Sequence, residues 1–409
     1  MKNKKPDIRF KGFSEEWEEK KLGEVAEIIG GGTPSTSIPE YWGGEIDWYS
    51  PTEIGLNVYA EGSVKKITEM GLQKSSAKIL PPNKTILFTS RAGIGDMAIL
   101  KYSGATNQGF QSFVINDNTD VYFVYSIGHL IKKFALTNAS GSTFLEISGK
   151  VLGKMEFHVP NKIEQTQIGN FFKNLDNLIN LHQRKYEKLG ILKKAMLEKM
   201  FPKNGADVPE IRFKGFSEAW EERKLGEIVQ IKDSARVPKE LWVESGIRYL
   251  RSSDLENNGQ GGELFISIEA YENYKSKTGV PERGDVLFNS GGDIGFSILK
   301  TDDSPVYVQG GAILYARTSQ SKDIDGGYLN VYFSTPQMKK YIDIASAGGT
   351  IKHFTLKPAN AAPIIFPKKE EQEKIGNYFK NLDNLLTLHQ RELEKLQHLK
   401  KALLEKMFV

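Results

Sequence analysis

Six histidines, a run of three glycines and one scatter of carboxylates around a lysine are the residues of this 409-residue sequence that invite a catalytic reading. The histidines (His129, His158, His182, His353, His389 and His398) have no spacing that converges on a metal ion. The chain has no cysteine, which removes thiolate nucleophiles, disulfides and the common zinc sites together. Gly30-Gly31-Gly32 follows an apolar run, as a phosphate-cradling loop would, yet Thr33-Pro34 comes next where a helix should begin. Asp7 with Glu18-Glu19-Lys20 imitates a nuclease carboxylate–lysine pattern, but a solvated charged helix is the expected account of it. Neither a Gly-x₄-Gly-Lys-Ser/Thr loop nor an Asn-Pro-Pro-Tyr/Phe motif occurs. The expectation is a chain with no catalytic residues and no metal site of its own.

The bulk numbers point to several folded units. At 39% hydrophobic and 11% aromatic residues the chain can bury real cores, and its length exceeds one ordinary domain. The net charge of +4 is unevenly placed. Residues 161–201 hold eight Lys/Arg against four acids and residues 368–408 hold nine against seven, which leaves the remainder at −2. A uniformly basic surface would suggest nucleic acid directly; this composition does not. No run approaches 18 apolar residues, so no membrane span is predicted and a cytoplasmic location is expected.

What must position any functional residue is a duplicated scaffold. Residues 8–24 match residues 211–227 at 15 of 17 positions, and residues 165–201 match 372–408 at 27 of 37. Between these anchors only an echo survives. Leu87-Phe88-Thr89-Ser90 aligns with Leu287-Phe288-Asn289-Ser290, Ile46-Asp47-Trp48-Tyr49 with Ile247-Arg248-Tyr249-Leu250, and Gln108-Gly109 with Gln309-Gly310. Gly141-Ser142-Thr143 aligns with Gly348-Gly349-Thr350. The shared positions are mostly apolar residues and glycines, which set strands and turns, while the polar residues between them differ.

Residues 1–160 and 203–367 are punctuated every 8–12 residues by Gly, Pro, Asn and Asp, and read as β-rich with a few helices. Residues 161–202 and 368–409 instead carry a seam in alternating steps of four and three. In the first copy it runs through Ile168, Phe172, Leu175, Ile179, His182, Tyr186, Leu189, Lys193, Met196 and Met200. In the second it runs through Ile375, Phe379, Leu382, Leu386, His389, Leu393, Leu396, Lys400, Leu403 and Met407. A heptad seam of this length predicts two long helices paired as an antiparallel coiled coil. The recurring His182 and His389 fit a role in register. The predicted fold class is α+β: two β-rich domains separated by the coiled coil and related by a pseudo-two-fold axis.

This plan resembles the specificity subunits of type I restriction–modification systems. The likeness rests on Trp17 with Leu22-Gly23-Glu24, Gly32-Thr33-Pro34, Pro160, Glu164-Gln165, Ile168, Leu175-Asp176 and Leu178. In the second half it rests on Trp220, Leu225-Gly226-Glu227, Pro367, Glu371-Gln372, Ile375, Leu382-Asp383 and Leu385. Lys232-Asp233-Ser234-Ala235 departs from the pattern, standing where the first half has Gly-Gly-Thr-Pro. The resemblance implies two target-recognition domains, each reading one half of a split, asymmetric site in double-stranded DNA, with the helices setting the gap. It also implies partner subunits: a methyltransferase subunit, expected in two copies and using S-adenosylmethionine on adenine, and a motor–nuclease subunit using ATP and magnesium. This chain would bind no cofactor itself.

Base readout needs side chains that fork onto base edges, Arg or Lys to guanine and Asn or Gln to adenine. The candidates lie in Gly-flanked loops where the halves differ. They are Arg91, Lys101, Asn107, Gln108 and Gln111, then Arg248, Arg251, Asn289, Gln309, Lys352 and His353. Gln108 and Gln309, shared by the halves, also suit a structural role. The competing reading is a coiled-coil scaffold joining two protein-binding β domains without DNA.

Overall fold

The computed structural model describes residues 5–141, 145–203, 205–256, 262–346 and 352–408. The aligned Ser142-Thr143 and Gly348-Gly349-Thr350 lie outside them. The chain divides into two compact units, Met1–Gln183 with Arg391–Val409, and Arg184–Gln390. Each unit contains a β-rich domain, the start of one long helix and the end of the other.

Among the described residues the first domain has ten strands: β1 (Glu18–Lys21), β2 (Ala26–Gly30), β3 (Trp42–Tyr49), β4 (Tyr59–Ala60), β5 (Lys65–Ile67), β6 (Thr85–Phe88), β7 (Met97–Leu100), β8 (Gly104–Thr106), β9 (Gln111–Ile115) and β10 (Glu156–Val159). They form a five-stranded sheet in the order β2-β9-β6-β7-β4, a three-stranded sheet β5-β3-β8, and the pair β1-β10. The four residues of β6, Thr-Ile-Leu-Phe, are all buried, as a strand inside the sheet requires. Of the few helices expected in this domain, two follow β9 in close succession, Val121–Ser126 and Gly128–Asn138.

The second domain is built on a related plan from β11 (Glu221–Lys224), β12 (Ile231–Asp233), β13 (Trp242–Val243), β14 (Ile247–Leu250), β15 (Phe265–Ile266), β16 (Val286–Asn289), β17 (Ser297–Leu299), β18 (Val306–Val308), β19 (Ile313–Ala316) and β20 (Pro363–Phe366). Its sheets are β12-β19-β16-β17, β13-β15-β14-β18 and β11-β20.

The repeated helical segments are single helices of 38 residues, Lys162–Lys199 and Lys369–Lys406, each roughly 57 Å long at 1.5 Å per residue. The repeated Glu-Gln pair fastens each helix start to its domain. Gln165 accepts from Asp120 N (3.0 Å) and donates to Pro160 O (2.8 Å); Gln372 does the same with Asp325 N and Pro367 O, both 2.8 Å. Arg9 donates to both oxygens of Glu164 (2.7 and 2.8 Å), and Arg212 to both of Glu371 (2.8 Å each). Both glutamates are buried. Removing one partner of such a pair strands a charge, so Glu164→Ala is expected to destabilise the chain by about 3–5 kcal/mol. Urea denaturation checks this; a loss under about 1 kcal/mol would show that the clamp does not hold the helix start.

Within each unit the two helices run antiparallel. In the first unit Phe408 stacks on Phe172 (5.7 Å between centroids) and Lys400 reaches Asp176. In the second, Phe201 packs on Phe379 (6.1 Å) and Lys193 pairs with Asp383. The seam residues Ile168, Phe172, Leu175, Ile375, Phe379 and Leu382 are buried in the domain cores. Farther along the helices Ile179, His182, Leu189, Leu386, His389 and Leu396 are half-buried. The last carbonyls are also held: Ile8 N donates to Lys406 O, and Ile211 N to Lys199 O.

Candidate nucleic-acid interface

The sheets of each domain end in a cluster of loops held by a repeated set of backbone hydrogen bonds. In the first domain Asn107 N donates to Tyr49 O (3.0 Å), Ser90 N to Gly109 O (2.8 Å), Gly95 N to Thr89 O (3.0 Å) and Ile147 N to Ser90 O (3.1 Å). In the second, Gln309 N donates to Leu250 O (2.8 Å), Ser290 N to Ala312 O (2.9 Å), Gly295 N to Asn289 O (2.9 Å) and Phe354 N to Ser290 O (2.8 Å). Four bonds thus tie the ends of β3 and β14, β6 and β16, and β8 and β18 into one arrangement, made twice from different side chains.

Arg91, Asn107 and Gln108 come together on the first cluster. Arg91 is half-buried and has no hydrogen-bond or ion-pair partner among the described residues. Next to it Ala92 holds φ +52°, where the second domain has Gly292 at φ +73°. A left-handed alanine costs roughly 1–2 kcal/mol, so the turn presenting Arg91 is held under strain by its neighbours. Asn107 is a turn former: its Oδ1 accepts from Gly109 N at 2.8 Å. Gln108 is exposed, and its Oε1 accepts from Thr33 Oγ1. Gln111 stands one residue into β9, half-buried, and a Cβ on Gly149 would lie 2.7 Å from its Oε1. Lys101 is not part of the cluster. It follows β7 at the opposite end of the sheet, with its ammonium 5.1 Å from the Tyr59 ring centroid.

On the second cluster Arg251, Gln309, Lys352 and His353 converge, and Lys352 and His353 are exposed. Asn289 is inside rather than presented: it is fully buried, and its Nδ2 donates to Ser252 O at 3.2 Å. Arg248, two residues short of the end of β14, is half-buried in a recess with Leu250, Leu287 and Ile298.

Strand pairing also changes one equivalence. Tyr49 faces Thr106, and Leu250 faces Val308, so the residue after each, Asn107 and Gln309, occupies the same place. Ile86 faces Phe113 whereas Val286 faces Ala316, so the second loop is one residue longer. Gln108 and Gln309 are therefore not counterparts, which the shared Gln-Gly dipeptide had suggested.

The glycine run is explained by close packing. A Cβ on Gly31 would lie 2.0 Å from Asn107 O, and one on Gly32 would lie 2.3 Å from Ser76 Oγ. In the second domain strand pairing puts Ser234, rather than Lys232 as the sequence alignment had it, in place of Gly31, and the glycine sits on the opposite side of the same contact: a Cβ on Gly310 would lie 1.8 Å from Ser234 O. The close approach is kept while its glycine changes strands. No group of three or more His, Cys, Asp or Glu residues arranged to hold a metal occurs among the described residues, and no described helix is long and apolar enough to cross a membrane.

What holds several of these residues in place escapes sequence reasoning. Asp176 accepts from Tyr122 Oη at 2.8 Å as well as pairing with Lys400; burial, then the Asp176 charge, pushes the Tyr122 hydroxyl far above its usual range. Arg251 is gripped by Asp254, whose hydrogen bond raises the guanidinium pKa further. Repetition marks Asp176 and Asp383, like Arg9 and Arg212, in the two copies, but their partners carry no local signal.

The family model described as the type I restriction modification DNA specificity domain matches residues 14–190 and again 217–398. The chain belongs to that specificity family. The type I restriction enzyme MjaIX specificity subunit of Methanocaldococcus jannaschii is 26% identical over 409 residues, covering 96% of this chain and 92% of that one. The EcoR124I/EcoR124II specificity subunit of Escherichia coli is 32% identical over 200 residues, 44% of this chain and 48% of its own length. The crystal structure of a type I restriction–modification S subunit from M. genitalium shares the fold, with a TM-score of 0.60, 17% identity and 99% coverage of both chains. The role of this specificity chain is sequence-specific DNA recognition, which displaces the reading as a scaffold for protein-binding domains.

Proposed function

We propose that the chain is the non-catalytic reader of a split, asymmetric DNA site, each β-rich domain contacting one half through its loop cluster and the long helices setting the gap. The observation that carries this is the doubled backbone framework with unlike side chains: Arg91 and Gln108 on one copy, Arg251, Gln309, Lys352 and His353 on the other. Equal frameworks fix the approach to DNA, and unlike forks read unlike bases.

The partners in this proposal are an adenine methyltransferase subunit in two copies, which uses S-adenosylmethionine and extrudes the target base, and a motor–nuclease subunit that uses ATP and magnesium. This chain supplies no cofactor site. Two copies are supported by exposed leucines that recur off the seam. Leu178 and Leu181 are each 46% exposed on the first helix, and Leu385 and Leu388 are 43% and 51% exposed on the second. Apolar side chains repeated on a helix face away from its own partner suit two equal docking helices.

Replacing residues 30–140 by the corresponding segment of a relative tests the reading. Mapped in cells that also express the methyltransferase subunit, the methylated site is expected to change in one half only. A change in both halves would show that the domains do not read independently.

A further inference from the structure

The two loop clusters differ most sharply at the residue that follows β3 and β14. In the first domain this is Ser50, whose N and Oγ both donate to Glu53 Oε2 at 2.6 Å. In the second it is Arg251, whose N donates to Asp254 Oδ2 at 2.8 Å. The closure is the same, a carboxylate three residues on capping the turn, but a hydroxyl has been exchanged for a guanidinium.

That guanidinium is held. Arg251 Nε donates to Asp254 Oδ2 and Nη2 to Oδ1, both at 3.2 Å. The Asp254 side chain is 5% exposed and the Arg251 side chain 45%. A buried carboxylate gripping the Nε edge fixes the plane of the group. Among the described residues it leaves free both hydrogens of Nη1 and one of Nη2, so each terminal nitrogen still has a donor. One donor on each terminal nitrogen is what an end-on fork to O6 and N7 of guanine requires. A phosphate contact needs only positive charge, whereas a fork held in advance avoids ordering a long side chain on binding.

We propose that Arg251, oriented by Asp254, reads one guanine in the half-site of the second domain, and that the first domain, with Ser50 in that place, makes no such contact. This rests on the DNA-reading role proposed above. Arg251 is the specificity-determining residue and Asp254 a positioning residue that does not touch the DNA.

The full-length chain co-expressed with its methyltransferase subunit provides the test, with methylated sites mapped by sequencing and complex assembly followed by co-purification. Arg251→Ser installs the residue that the first domain uses to close the same turn. It is expected to lower discrimination for guanine at one position of one half-site on the order of 10- to 100-fold, with all other bases unchanged. Arg251→Lys keeps the charge without the fork and should relax the same position. Asp254→Asn retains an oxygen that can cap the turn and should relax that position partly, whereas a merely structural loss would lower methylation of all sites alike. An unchanged site in Arg251→Ser overturns the proposal. So does an even fall in methylation that lysine restores, because that would mark a phosphate contact. If the unaltered complex methylated no defined sequence, the broader DNA-reading proposal would fail instead, before any variant was made.

Discussion

Residues 1–206, expressed with the methyltransferase subunit, are expected to methylate a palindrome built from two inverted copies of the first half-site. The first domain cannot close its core alone, because Phe408 stacks on Phe172, Lys400 pairs with Asp176, and Lys406 O accepts from Ile8 N. The end of the first helix carries the same residues at the same spacing: Lys193, Lys199 and Phe201 stand where Lys400, Lys406 and Phe408 do. A second copy of the half chain can therefore supply the missing helix end. Lys193, the one charged residue in the seam besides its repeat Lys400, would meet Asp176 of the other copy, as it meets Asp383 in the intact chain. Burying a Phe or Leu side chain is worth roughly 1.5–3 kcal/mol, so the repeated seam offsets the cost of association. Dimerisation in the micromolar range or weaker is expected alone, with tightening by the partner, and analytical ultracentrifugation with methylation mapping reads both. Methylation of the original asymmetric site by this half chain would refute the account, since the second domain would then be unnecessary.

Adding one heptad to each long helix, between Lys188 and Leu189 and between Lys395 and Leu396, is expected to widen the gap between half-sites without altering the outer bases. Seven residues keep a seam of alternating steps of four and three in phase. They lengthen a helix by about 10 Å, which corresponds to up to about three base pairs at roughly 3.4 Å each. Two added residues would instead rotate Leu189 and Leu396 by roughly 200° off the seam, and the complex should lose activity. An active heptad variant with an unchanged gap would show that the partner subunits, not these helices, determine the distance.

The helices were legible in the sequence because a heptad is local: Ile168, Phe172 and Leu175 announce a buried face by spacing alone. What closes that face was not. Lys193 and Lys400 read as gaps in the seam, yet each meets an aspartate 190 or more residues away in sequence, Asp383 and Asp176. No spacing rule connects such distant residues. The β domains were legible as strands and turns, but the fates of individual polar side chains were not. Asn289 faces inward because Ser252 O lies beside it, and Gln309 takes the place of Asn107 because the loop after it is one residue longer. Of the candidate readers, Lys101 lies at the far end of its sheet and Arg248 short of the cluster. Asp254, which orients Arg251, carried no signal in the sequence; its burial exists only in the folded domain.

The most direct measurement is the DNA methylation pattern of cells that express this chain with its methyltransferase subunit, compared with cells that express the methyltransferase subunit alone. The account predicts adenine methylation at one split site, two unlike defined halves around a gap of fixed length, appearing only when the chain is present. Methylation that is independent of the chain, or confined to a single uninterrupted motif, would contradict it.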